Sequence, residues 1–390
     1  MTLKGNKGEW SEIYIFLKLM SDRKIYAADK NMNKINNVFL NIIKIIREEI
    51  RNHVYEYYTG DEVKVHLNDV FTSQTIPESA FKENKDKLFF LMSSQNETTF
   101  GNAEIEDFLA SIHIRKLKAP SSSSSGKFGG TQDILMTVMD YRSGITYDAG
   151  FSCKSDFAAR ATLFNASIEN TNFLYEITGA IDDNFMNHVN SIFHIKNKKN
   201  KKTGVTEQKK EVATGKRIRA LKEAGCDLNF ISPCTETAKR NLVLSGGKEL
   251  PEILAEAMRY FYWEGDATVD FAPFQKAISY VIDRNPAGYT FDNLESIYKK
   301  KFSDLLYNMF TGMRLGSPWD GKSGVNGGYV VMKDDGDVLA YHSCIEDEFK
   351  DFLLNRLGFE APSTSRHKYI EIFKENGKYF IKLNLQVRFV

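Results

Sequence analysis

Two apolar runs joined by a glycine-bearing turn constrain this chain more than any other stretch. Residues 134–140, ILMTVMD, and 149–155, AGFSCKS, flank YRSGIT with Gly144 at its centre. Apolar runs of that length with a turn signal between them predict a β-hairpin. Asp133 stands at the start of one strand and Lys154 lies on the other. The hairpin therefore carries an acid and a lysine on neighbouring strands, and the rest of the chain must supply whatever surrounds them.

There is ample chain for that. The 390 residues suffice for two or three domains, or for one core with large insertions. Strand and helix signals alternate irregularly. Ile13, Phe16, Leu17 and Met20 recur at helical spacing, and Ile35, Val38, Phe39, Ile42, Ile43, Ile46 and Ile50 predict a second, longer helix. Short apolar runs and an acidic helical stretch, NAEIEDFLASIHI, fill 61–118. The polar loop APSSSSSGKFGG follows and places Lys127 close before Asp133, either as a linker or as a loop that orders against a ligand. A strand is expected around 172–178. Residues 196–222 hold eleven Lys and Arg and read as a segment with little fixed structure, either a solvated face or a phosphate-contacting arm.

In the last third, Pro251 opens a helix, a hairpin turns at DDG, and Phe349, Phe352, Leu353 and Leu357 stripe another helix. A final hairpin turns at Asn376-Gly377. Such mixing without regular βαβ alternation predicts an α/β (α+β mixed) protein, a mixed central sheet flanked by helices and elaborated by a C-terminal helical and β region. A soft boundary is expected near 235: residues 1–235 as a core with N-terminal helices and the basic insertion, 236–390 as helical then β.

Composition narrows the classes. Lys and Arg total 52 against 51 Asp and Glu, so the net charge of +1 leaves a nucleic-acid partner to the distribution of charge rather than its sum. Four irregularly spaced cysteines form no CxxC pair, which argues against a zinc module and for a reducing cytoplasm. No signal peptide or membrane-spanning run is evident. GxSxG, GxGxxG and Walker-type loops are absent, so neither serine hydrolysis nor ATP dependence is expected.

An acid and a lysine on one hairpin suit phosphodiester hydrolysis assisted by Mg²⁺. A carboxylate holds the hard cation, and the lysine orients water or stabilises developing charge. This is the pattern of PD-(D/E)XK nucleases, in which a second carboxylate precedes the lysine by two. Here Ser152 occupies that place. Asp133 and the backbone carbonyl of Cys153 would supply two metal ligands. The missing acid is expected from the first helix: Glu12 first, Glu9 second, three apart on one helix surface. Asp140 and Asp148 lie too far along extended strands, and Asp156 is a reserve.

Several stretches together resemble the HpaII-type restriction endonucleases: NKGEWSE, GGTQDI with GFSCKS, TLFNAS and TNFLYEI, then GGYVVMKDDGDVLAYH, APSTSRH and LNLQVRF, in consistent order across most of the chain. The resemblance implies a type II enzyme that cleaves double-stranded DNA at a short palindrome with Mg²⁺, the family's namesake cutting CCGG. A partner methyltransferase would protect host DNA. Asp133 would be the metal acid, Lys154 the catalytic lysine, and Ser152 a departure typical of the family. Sequence reading is expected from Ser363, Thr364, Ser365, Arg366 and His367, with Gln386 and Arg388 in support and Arg366 on guanine. A palindromic target favours a symmetric homodimer, with a monomer nicking each strand in turn as the alternative. Two other readings use the same residues: a DNA-binding protein with a decayed nuclease fold, and a nuclease specific for branched or damaged DNA.

Overall fold

A computed structural model describes residues 3–118, 132–157, 162–199, 206–265 and 271–389. Lys127 and the whole serine-rich loop lie outside them. The chain forms two compact units, Met1–Ala161 with Ser323–Phe352, and Thr162–Lys322 with Leu353–Val390. The expected boundary at 235/236 falls inside the second unit instead. The chain leaves the first unit and returns, so no single cut separates the two. Strands and helices are numbered along the chain.

The first unit opens with α1 (Lys7–Asp22), then β1 (Lys24–Ala28), β2 (Lys34–Ile50), β3 (His53–Tyr58), β4 (Glu62–Leu67), β5 (Val70–Pro77), α2 (Glu78–Ser94) and α3 (Ala103–Ser111). The predicted hairpin follows as β6 (Ile134–Asp140) and β7 (Thr146–Ser155), with Gly144 at φ 68° in its turn. A left-handed backbone there costs glycine little. The unit is completed by β14 (Gly328–Met332) and β15 (Val338–His342), the hairpin expected around DDG. The expected helix with Phe349 and Phe352 follows as α10 (Glu346–Arg356). Phe349 and Phe352 pack on Tyr329 and Tyr341.

The nine strands run in the order β1-β15-β14-β7-β6-β2-β3-β4-β5. β14 lies parallel to β7, with Val330 beside Cys153, and β1 lies parallel to β15. The sheet is therefore mixed, as expected. Its closure was not expected: β1 also pairs with β2, so six strands join in a ring and β3–β5 extend from it as a meander.

The ring depends on a correction. The apolar stripe at 35–50 is not a helix but the 17-residue strand β2. Its N-terminal half pairs with β1, its middle with β6 and its C-terminal half with β3. Buried residues run Leu40, Ile42, then Ile45, Arg47, Glu48 and Glu49, the last two beside a second register shift against β3. Two period-2 tracks are offset by a bulge between Ile42 and Lys44. A bulge inserts one residue and flips the alternation, which imitates helical spacing in the sequence. Isoleucine, six times in the run, suits the strand.

Helix α1 carries the apolar stripe that its spacing predicts. Trp10, Ile13, Phe16, Leu17 and Met20 are fully buried. Phe16 meets Tyr57 edge-on at 5.1 Å between ring centroids. Burying one such aromatic contributes roughly 1.5–3 kcal/mol, and truncating it to alanine costs about 3–5 kcal/mol. Asn6 caps the helix by accepting from Glu9 N–H, while Glu9 Oε2 accepts from Asn6 N–H.

The second unit contains two four-stranded sheets, a hairpin and most of the remaining helices. β8 (Thr162–Phe164), β13 (Phe271–Pro273), β16 (Leu357–Glu360) and β19 (Val387–Phe389) form one sheet, in the order β13-β16-β19-β8. β9 (Asn172–Thr178), β12 (Asp227–Pro233), β17 (Ile372–Glu375) and β18 (Lys378–Asn384) form the other, in the order β12-β9-β18-β17. The strand expected at 172–178 is β9, in this second sheet. Helices α4 (Asp183–Asn190), α6 (Glu236–Gly246), α7 (Leu250–Arg259), α8 (Phe274–Arg284) and α9 (Leu294–Phe310) surround them.

The basic stretch is also corrected. It forms the antiparallel pair β10 (Phe193–Lys199) and β11 (Thr206–Val212), then α5 (Thr214–Glu223). Ile218 and Leu221 bury one face of α5. Arg217, 2 % exposed, donates to the carbonyls of Ile192, Ile370 and Asn190. These anchors give the segment its structure despite the density of like charge. No helix among the described residues is long and apolar enough to cross a membrane.

Candidate active site

The hairpin register assembles the first group. Ile134 pairs with Phe151, and Asp133 N–H donates to the Phe151 carbonyl at 2.9 Å. Continuing that register by one residue sets Asp133 opposite Ser152, so alternation brings 133, 152 and 154 to one face of the pair. Asp133 Oδ2 accepts from the Cys153 backbone N–H at 2.8 Å, which fixes both the carboxylate and the peptide. Gly150 is required nearby: a Cβ there would stand 2.2 Å from the Gln132 side chain, which is folded against the strand.

Glu12 arrives from α1, 121 residues earlier in the chain than Asp133. The Ser11 and Ser155 hydroxyls hydrogen-bond at 2.8 Å and tie that turn of α1 to β7. Burial pushes the Glu12 carboxyl up to about 7, and the negative charge of Asp133 is the next cause. Lys118 and Arg47 oppose the shift, and Glu9 adds to it. Burial raises the Cys153 thiol too, with Asp133 and then Glu12 as further causes, so this cysteine is held as a thiol rather than a nucleophile. The charge of Asp133 thus disfavours ionisation of Glu12 in a partly dry site.

Lys154 is half-buried, its ammonium 5.0 Å from the centroid of the Tyr329 ring. Placement over an aromatic face holds a lysine charge in a defined position. Glu9 is committed to the α1 cap. Asp140 accepts from the N–H groups of Arg142 and Ser143 at the far end of the hairpin, and Asp148 accepts from Thr137 Oγ1. Among the described residues, no group of three or more His, Cys, Asp or Glu side chains forms a metal cage.

Two contributors went unseen in the sequence. Arg47 lies on the strand misread as a helix; its Nε donates to Glu49 at 2.7 Å and Nη2 to the Lys116 carbonyl at 3.0 Å. Lys118, exposed, is the other cation acting on Glu12.

The second group lies entirely in the second unit. Ser363, Thr364, Ser365, Arg366, His367, Gln386 and Arg388 line one cleft of about 1180 Å³. Residues 364–367 form the one-turn helix α11 (Thr364–His367), which packs beside β11. The basic segment contributes His194, Lys216 and Arg219 to the same walls. Burial, followed by the charge of Arg366, holds His367 below its ordinary value and favours its neutral form. The expected reading residues and the basic stretch, separate in sequence, share this cleft.

Comparison with known proteins accords with the geometry. The family model described as HpaII restriction endonuclease matches residues 6–389. The chain is 32 % identical over 392 residues to the type II restriction enzyme HpaII of Haemophilus parainfluenzae, covering 99 % of this chain and 98 % of that one. No solved structure matches it significantly. A match over nearly the whole length, with a relative this similar from end to end, places the chain in the HpaII restriction endonuclease family and makes it a restriction endonuclease.

Proposed function

We propose that this enzyme hydrolyses double-stranded DNA at a short palindrome, CCGG, using Mg²⁺ bound in the first unit, and that this unit is a closed-ring variant of the PD-(D/E)XK nuclease core. The observation that carries the reading is the meeting of Glu12 with Asp133 on the face that also presents Lys154. The enzyme works in the cytoplasm as a homodimer, and a partner methyltransferase protects host sites.

The residues fit the ion. Mg²⁺ commonly takes one or two carboxylates and fills its remaining positions with water and substrate phosphate. A raised carboxyl beside a second acid is a site whose charge is unmet in the protein alone. Asp133 and Glu12 would hold the ion, with the carbonyl of Cys153 as a third donor. When bound, it would neutralise phosphate charge and acidify a water molecule.

The chain's own residues do the rest. The Cys153 N–H keeps Asp133 from rotating away. Lys154, on the Tyr329 face, supplies fixed positive charge for the oxygens of the phosphate as water attacks and the 3′ oxygen leaves. Ser152 stands where a carboxylate is usual, and Glu12 takes over its duty from another element. The cleft in the second unit reads the sequence, and Lys216 and Arg219 on its walls contact phosphate.

Digestion of a fully sequenced plasmid with Mg²⁺, with EDTA and with Lys154→Ala tests this reading. Discrete Mg²⁺-dependent fragments ending at CCGG, absent with the variant, are expected. DNA that is shifted on a gel but never cut would overturn the catalytic assignment in favour of a decayed binding protein. Cutting only of branched substrates would overturn the site-specific one.

A further inference from the structure

We propose that Arg388, held by Glu360, is the guanine reader, and that Glu360 is its positioning residue. The inference rests on assigning the second unit's cleft to sequence reading, and it moves the guanine contact away from Arg366. Arg388 lies on β19, an inner strand flanked by β16 and β8, where Gly358 pairs with Arg388. Glu360, at the end of β16, places Oε2 2.7 Å from Arg388 Nε and accepts from Gln386 Nε2 at 2.9 Å. Its backbone N–H donates to the Gln386 carbonyl at 3.2 Å. One carboxylate oxygen therefore organises two side chains of the cleft wall.

This geometry suits a base edge better than a phosphate. Glu360 Oε2 holds Nε by charge at close range without hydrogen-bond geometry, and the two terminal nitrogens of Arg388, with no hydrogen-bond partner among the described residues, form the fork that matches guanine O6 and N7. The Glu360 charge offsets that of the guanidinium. What remains is directional hydrogen bonding rather than general attraction for the backbone. Gln386 is 6 % exposed and the Arg388 side chain 33 %, so both are packed in place. Groups held on strands keep tighter geometry than groups on loops. Arg366 differs in each respect. It is exposed on a four-residue helix and has no ion-pair or hydrogen-bond partner for its guanidinium among the described residues, which suits a phosphate contact.

The test uses the full chain with Ca²⁺ in place of Mg²⁺ and short duplexes read by fluorescence anisotropy. One duplex carries the mapped cleavage site, one carries none, and others replace each guanine of the site in turn by 7-deazaguanine, which lacks the N7 acceptor. For the unaltered protein, one replacement per half-site is expected to weaken binding about tenfold, within the range of a bidentate base contact. Arg388→Ala and Arg388→Lys should bind the natural site more weakly and show no further loss from that replacement. Glu360→Gln should lose affinity for the site but keep its affinity for the site-free duplex, whereas Arg366→Ala should lose affinity for both and keep the 7-deazaguanine penalty.

Circular dichroism checks folding, and Glu360→Gln, an isosteric change, decides the matter if an Arg388 variant fails that check. The proposal is overturned if Arg388→Ala keeps the penalty at every guanine, if it weakens both duplexes equally, or if Glu360→Gln binds the site as the unaltered protein does. Should the unaltered protein fail to prefer the site-bearing duplex, the reading of the cleft as a specificity element falls, and Arg388 falls with it by a route distinct from the three outcomes above.

Discussion

The first unit sets Glu12 and Asp133 together under burial, and it encloses His342 at 1 % exposure with neither ring nitrogen hydrogen-bonded among the described residues. Two groups of the second unit are held differently. Arg217 donates to three backbone carbonyls, and Glu360 is shared by Gln386 and Arg388. The contrast separates two uses of a buried polar group. Unmet like charges make a place that a cation completes, whereas satisfied opposite charges make a rigid surface that reads shape. Chemistry is assigned to the strained region and recognition to the settled one.

The largest effect that tests the contrast is catalytic. Asp133→Asn and Lys154→Ala should each lower single-turnover cleavage by about 10³-fold or more. Binding of site-bearing duplex in Ca²⁺ should persist for Lys154→Ala. Cleavage within a few-fold of normal in either variant would remove the hairpin from the chemistry.

Next comes acid stability in the first unit. Burial holds His342 down at about 4, against an ordinary 6.5. Because the folded value lies below the unfolded one, the fold binds fewer protons. Stability is unaffected by this group above pH 6.5 and falls as pH drops toward 4, by about 3 kcal/mol in all. Urea denaturation between pH 7 and 4 measures it. His342→Leu should flatten that part of the profile; an unchanged slope would show that the proton goes elsewhere.

Arg217→Met probes the settled region. Three carbonyls would lose their donor, at a cost of roughly 2–3 kcal/mol. A variant as stable as the parent would mean that water replaces the guanidinium without loss.

A smaller and opposite effect is expected at the carboxylate pair. Glu12→Gln should stabilise the metal-free protein by on the order of 1 kcal/mol, since it removes a buried like charge, and should abolish the rise in melting temperature caused by Mg²⁺. Glu9→Gln should cost only about 0.5 kcal/mol through the cap and leave the Mg²⁺ response intact. If Glu9→Gln rather than Glu12→Gln removed that response, the second carboxylate would have been misassigned.

Much of the site is legible in the sequence. The hairpin from 134 to 155, the apolar stripe of α1 and the terminal turn are local features. Asn376 and Gly377 both adopt positive φ, at 48° and 79°, as a tight hairpin turn between β17 and β18 demands. Its place at the border of the apolar face favours Glu12 over Glu9, and the structure puts the Glu12 carboxyl where Asp133 acts on it.

What failed was long-range. Local spacing made β2 look helical, because a bulge is invisible until the partner strand β6 sets the register. The basic segment looked unstructured because its organisation comes from Arg217 reaching carbonyls at 190, 192 and 370. Glu360 gave no signal at all, since its meaning lies in two side chains on the neighbouring strand, 26 and 28 positions away in sequence. Sequence by itself determined the elements whose periodicity and turn chemistry are nearest-neighbour properties, and, through motifs in a fixed order, the family. Only the tertiary structure decided which strand closes the ring and which arginine is held in place, because those depend on hydrogen-bond and charge partners that the chain brings together only when folded.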